Sequence, residues 1–112
     1  MINVIVYKDE KGLIEGFSLK GHAGYAKYGN DIVCSAVSML TINTLNSINE
    51  FTSDTFTYQE DEKSGTIEFH MISFGQQSQL LLKALLLGLD SVRSEYGKKY
   101  IDLKESQINK EV

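Results

Sequence analysis

Little in this sequence can make a disulfide or hold a metal. Its 112 residues include one cysteine, Cys34, and two histidines, His22 and His70. A lone thiol closes no internal disulfide, so the chain needs no oxidising compartment and suits a reduced one. One cysteine with two histidines, one of them in a separate strand-like stretch, makes no zinc set, and neither a metal nor another cofactor is expected. Long apolar runs are missing too: the longest, Leu80 to Leu89, is broken by Lys83 and has about half the length that spans a bilayer. The opening MINVIVYKDE has no basic segment before its apolar run and no small-residue cleavage site, and does not read as a signal peptide. A cytoplasmic protein without a membrane partner is expected. Positive charge is in deficit, with 11 Lys and Arg against 15 Asp and Glu. Phosphate binding needs clustered basic residues, so direct contact with nucleic acid is not expected, whereas a basic protein partner is compatible. Proline is absent altogether, and there is no internal repeat or low-complexity tract.

What remains is an ordinary globular composition, 42% hydrophobic and 23% charged, which fits one domain over residues 1–112. Ile2 to Tyr7 is short and β-branched, and Leu13 to Lys20 alternates. The polar Lys8 to Gly12 between them predicts a hairpin. Asn30 and Asp31 are good helix caps, and Ile32, Val33, Ala36, Val37, Leu40 and Ile48 follow at helical spacing, predicting a helix from about Asp31 to Phe51. Thr55 to Gln59 and Thr66 to Ile72, joined by the polar Glu60 to Gly65, predict a second hairpin. Gln76 to Tyr96 predicts a second helix closed by Gly97. Its middle, LLLKALLLGL, is too apolar for one wet face, so it lies between two layers or buries its outer face in another subunit. Lys98 to Leu103 is a short strand, and the polar tail from Lys104 is expected to fray. The order β-β-α-β-β-α-β predicts an α+β fold, one mixed sheet with both helices packed on one face.

Chemistry concentrates in Gly21 to Ser38, GHAGYAKYGNDIVCSAVS. A thiol is nucleophilic as thiolate, and an imidazole partner and a helix N-terminus both favour that form. Cys34 falls in the first helical turn, and His22 is delivered by the loop upstream. The bland reading of Cys34 is a small buried hydrophobe, and that of His22 a solvated loop residue. If the two meet, His22 takes the thiol proton as general base and later protonates the leaving amine, with N–H groups of the helix start as oxyanion donors. Asp31 has three readings: helix cap, orienter of His22, or contact for the substrate backbone. Ser38, one turn beyond the thiol, is a possible hydrogen-bond partner of substrate or thiolate. The glycine-punctuated loop of Gly21, His22, Ala23, Gly24, Tyr25, Ala26, Lys27, Tyr28, Gly29 and Asn30 shows neither helical nor strand periodicity, and suits a flexible lid. His70, alternating with Phe69 and Met71, is expected to face solvent or a sheet neighbour.

The Gly-His-Ala opening, the glycine before the helix, and Asp-Ile-Val-Cys followed by small residues to Val-Ser resemble the signature of the bacterial ribosomal-processing cysteine proteases, Prp. Chain length, the first hairpin and the leucine-rich helix agree. Ser35 stands where alanine is the more usual residue. The resemblance implies an endopeptidase that removes a short N-terminal extension from a ribosomal large-subunit protein, cutting between an aromatic and a small residue. His22 and Cys34 would be its dyad, Gly21, Asp31 and Ser38 would support the site or bind substrate, and the 21–30 loop would close on the peptide. It also implies a homodimer, which would explain the surplus leucines of Gln76 to Tyr96. A competing reading is a non-catalytic, ribosome-associated binding module in which Cys34 merely packs. A third is a thiol acyl transferase.

Overall fold

Alternation decides the central strands. In β1 (Ile2–Lys8), Ile2, Val4 and Val6 are buried while the residues between them are not. Their partners across the antiparallel ladder with β2 (Ile14–Lys20) are equally apolar, Val4 opposite Leu19 and Val6 opposite Phe17. The apolar row continues sideways, because β2 pairs antiparallel with β4 (Thr66–Met71) and sets Phe17 opposite Phe69, their rings stacked with centroids 5.4 Å apart. β3 (Phe56–Asp61) forms the edge beyond β4, and β5 (Ile101–Gln107) forms the other edge, parallel to β1. The computed structural model, which describes residues 1–27 and 30–107, therefore has a mixed sheet of order β3-β4-β2-β1-β5.

Both helices cover one face of this sheet. Helix α1 (Ile32–Phe51) turns Val33, Val37, Leu45 and Ile48 inward, and α2 (Gln76–Tyr96) turns Leu82, Leu85, Leu89 and Val92 inward. These side chains share one core with Val4, Val6, Phe17, Leu19 and Phe69. Each fully buried leucine contributes about 1.5–3 kcal/mol of transfer free energy. The expected α+β order is the one found. Within this chain α2 does not lie between two layers, since Leu80 and Leu87 remain 68% and 69% exposed. No helix among the described residues is long and apolar enough to cross a membrane.

The C-terminal strand differs from expectation. Lys98 to Tyr100 form a turn after Gly97, closed by the Tyr100 N–H on the Gly97 carbonyl at 3.2 Å, so β5 starts only at Ile101. Instead of fraying from Lys104, the chain stays paired through Gln107, which lies opposite Lys8. The cause is non-local: β1 offers a complete parallel edge, and Lys8 reaches Glu105 at 2.8 Å. The remainder of the expected tail, 108–112, lies outside the described residues.

This topology gathers one end of the sheet. β2 ends beside the start of β1, with Lys20 opposite Asn3, and beside the start of β4, with Leu19 opposite Ile67. The segment leaving β2 therefore emerges between the chain's first residues and the β3–β4 turn, then leads into α1.

Candidate active site

Asp31 organises the entry to α1. Its side chain is the helix cap: Oδ1 accepts from the N–H groups of Val33 and Cys34, both at 3.0 Å, while Oδ2 accepts from the Tyr25 N–H, also at 3.0 Å. Asp31 is 6% exposed. Burial pushes its carboxyl up, but hydrogen bonds from Cys34 and Tyr25 outweigh this and hold it below the usual carboxylate range. Of the three readings, capping is what the geometry displays, with a second duty of tying the loop to the helix. Of the N–H groups at the helix start, the Asp31 side chain occupies those of Val33 and Cys34, and the Asp31 carbonyl that of Ser35. Ser35 folds back as well, its Oγ donating to the Asp31 carbonyl at 3.1 Å.

The thiol of Cys34 is half-buried. Its Sγ accepts a hydrogen bond from the Ala23 N–H at 3.2 Å, which brings the loop directly onto the sulfur. Burial pushes the thiol up, and the Asp31 charge adds to the rise; the Ala23 N–H and the positive N-terminus act the other way without cancelling it. The resting site thus favours the protonated thiol, contrary to what a helix N-terminus alone suggests.

His22 follows Gly21, whose φ of +95° belongs to glycine. A β-carbon there would also stand 2.7 Å from the Met1 carbonyl oxygen, so the turn needs the bare backbone. The Met1 nitrogen donates to the His22 carbonyl at 2.7 Å, fixing the segment to β1. The imidazole itself is exposed.

His22, Cys34 and Ser38 line two adjoining depressions. One, of about 280 Å³, lies toward the β3–β4 hairpin and includes Glu60, Asp61, Glu62 and Gly65 in its wall. The other, of about 740 Å³, lies toward the loop and includes Gly24, Ala26, Asp31 and Met39. The histidine and the thiol therefore share one groove, formed by the two depressions. Within the loop, Ala23 is buried, the Tyr25 ring meets Tyr96 and Tyr100 edge-on at 5.6 and 5.1 Å, and the Asn30 N–H closes on the Lys27 carbonyl at 2.9 Å. Tyr28 and Gly29 lie outside the described residues. His70 is a sheet-neighbour residue as expected, stacked on Tyr7 at 5.3 Å with Nε2 2.9 Å from Glu68, and lines neither depression. The hairpin wall is what sequence reading missed. Its turn residues are plain in the pattern, but their place beside His22 follows from the β2–β4 pairing, which no local signal encodes.

Comparison with known proteins is consistent with this site. A family model described as cysteine protease Prp matches residues 1–102. The ribosomal processing cysteine protease Prp of Staphylococcus aureus is 30% identical over 100 residues, covering 87% of this chain and 92% of that protein. A crystal structure of an essential ribosomal processing protease Prp from S. aureus, in complex with a covalently linked product peptide, has a TM-score of 0.90 at 27% identity, with 95% of this chain and 100% of that chain covered. A second, in complex with a substrate peptide, has a TM-score of 0.85 at 26% identity, with the same coverage. With a thiol and an imidazole in one groove and a family match along nearly its whole length, the chain belongs to the cysteine protease Prp family.

Proposed function

We propose that this protease removes a short N-terminal extension from a ribosomal large-subunit protein, with Cys34 as nucleophile and His22 as general base and acid. The observation that carries the reading is the convergence of His22 and Cys34 on one groove, with the Ala23 N–H held on Sγ. Because burial favours the neutral thiol, the nucleophile is made by proton transfer within the groove: the Cys34 proton passes to His22 as Sγ attacks the scissile carbonyl. The Ala23 N–H stabilises the developing thiolate. His22 then gives that proton to the leaving amine, a thioester remains on Cys34, and a water deprotonated by His22 releases the extension. Asp31 acts through the fold, holding helix start and loop together. Ser38, four residues beyond the thiol and exposed in both depressions, contacts the peptide. The 21–30 loop closes over the bound strand.

Substrate choice follows the relatives, named as ribosomal processing proteases and solved with substrate and product peptides. The acidic hairpin wall suits a basic ribosomal partner met in the cytoplasm. The exposed Leu80 and Leu87, one heptad apart on α2, support a homodimer, and sedimentation at the mass of a single chain at micromolar concentration would count against it. The functional test incubates the protein with a precursor bearing the extension and reads intact mass. Trimming between an aromatic and a small residue is expected, and it disappears in His22→Ala. Precursor that binds but stays full length with the unaltered protein overturns the assignment in favour of a binding module.

A further inference from the structure

The hairpin wall contains a feature that bears on how His22 is held. Gly65, in the β3–β4 turn, has a φ of +66°, and a β-carbon there would stand 3.0 Å from both Cε1 and Nε2 of His22 and 3.3 Å from the Gly21 carbonyl oxygen. These distances are shorter than ordinary van der Waals contact, so a side chain at position 65 would press on the imidazole edge and require it to give by a few tenths of an ångström. The turn has its own supports: Asp61 Oδ1 accepts from the Lys63 N–H at 3.0 Å, and the Ser64 and Thr66 hydroxyls are 2.8 Å apart. His22 is exposed. Its carbonyl accepts from the Met1 nitrogen, and its ring edge lies beside the β3–β4 turn at Gly65.

The geometry points to Gly65 as a positioning residue for His22, seating the imidazole in the groove at the angle proton transfer to and from Cys34 requires. This rests on the reading of His22 as general base. Any side chain at position 65 displaces the ring by some tenths of an ångström or turns it away, and a misplacement of about 1 Å can cost on the order of 100-fold in rate.

A matched control exists in the same molecule. Gly12, in the β1–β2 turn, also has a left-handed φ of +82°, but nothing lies within 4 Å of the place its β-carbon would take. Gly12→Ala therefore carries the same kind of backbone strain without touching His22. Gly65→Asn complements Gly65→Ala, since asparagine tolerates the left-handed region better than alanine. Steady-state cleavage of a synthetic peptide spanning the extension junction is measured for all three, with thermal unfolding alongside. Gly65→Ala and Gly65→Asn are expected to lose at least about 10-fold in kcat with KM within about twofold, while Gly12→Ala keeps its kcat. A kcat in the folded Gly65 variants equal to that of Gly12→Ala, or a loss confined to KM, overturns the inference while leaving the dyad intact. A fully active His22→Ala would instead overturn the dyad itself.

Discussion

Replacing Asp31 by alanine removes the acceptor of three main-chain N–H groups, those of Val33, Cys34 and Tyr25, each held at 3.0 Å. Loss of a helix cap costs about 1 kcal/mol. The Tyr25 bond runs to a charged acceptor and would be worth about 1.5–3 kcal/mol if its N–H were left dry. Tyr25 is 42% exposed, so water replaces part of it, and about 1 kcal/mol is the better figure. The sum of about 2 kcal/mol lowers Tm by about 8–12 °C in a domain of this size. Asp31→Asn keeps an acceptor oxygen and should lose about half as much. The pH dependence has a definite sign. Although burial pushes the Asp31 carboxyl up, its hydrogen bonds hold it below the ordinary value. Its contribution is therefore complete above the ordinary value of about 4 and is lost as pH falls through the depressed one. Thermal unfolding followed by circular dichroism should show a gap between the unaltered protein and Asp31→Ala that is flat from neutrality down to about pH 5 and closes in stronger acid. A gap under about 0.5 kcal/mol at neutral pH, or one that widens on acidification, refutes the role of Asp31 as charged cap and loop tie.

Other outcomes follow from the same structure. Gln79 is buried and bridges both main-chain groups of Ile14, accepting from its N–H and donating to its carbonyl at 2.8 Å each; Gln79→Ala strands both, and urea unfolding should register a loss of about 2–4 kcal/mol. The Lys8–Glu105 pair is short, but Glu105 is 60% exposed, so Glu105→Ala should cost at most about 1 kcal/mol, and less in high salt. The Asp31 charge opposes thiolate formation at Cys34, so Asp31→Asn should be alkylated by iodoacetamide faster than the unaltered protein at neutral pH, and slower alkylation would contradict that coupling.

The parts legible in the sequence are those fixed by neighbouring residues. The two hairpins, both helices and the cap at Asp31 follow from alternation, helical spacing and one well-placed carboxylate. The surplus on α2 was legible too, and survives as the exposed Leu80 and Leu87. Parts set by distant partners were not. The end of β5 reads as polar and terminal, yet β1 keeps it paired to Gln107. The helix N–H groups look like free donors until the same Asp31 that starts the helix is seen to occupy them. Gly65 reads as an ordinary turn glycine, and only the β2–β4 pairing brings it to His22.

Attack of Cys34 on the substrate carbonyl, with its proton relayed by His22, is tested by trapping the covalent intermediate. The protein is mixed with extension peptide in excess, quenched in acid within the first turnover, and weighed intact with peptide mapping. A species heavier by the extension less one water, joined through a thioester to Cys34 and absent from Cys34→Ala, is expected. Cleavage without any adduct on Cys34, or undiminished cleavage by Cys34→Ala, would contradict it.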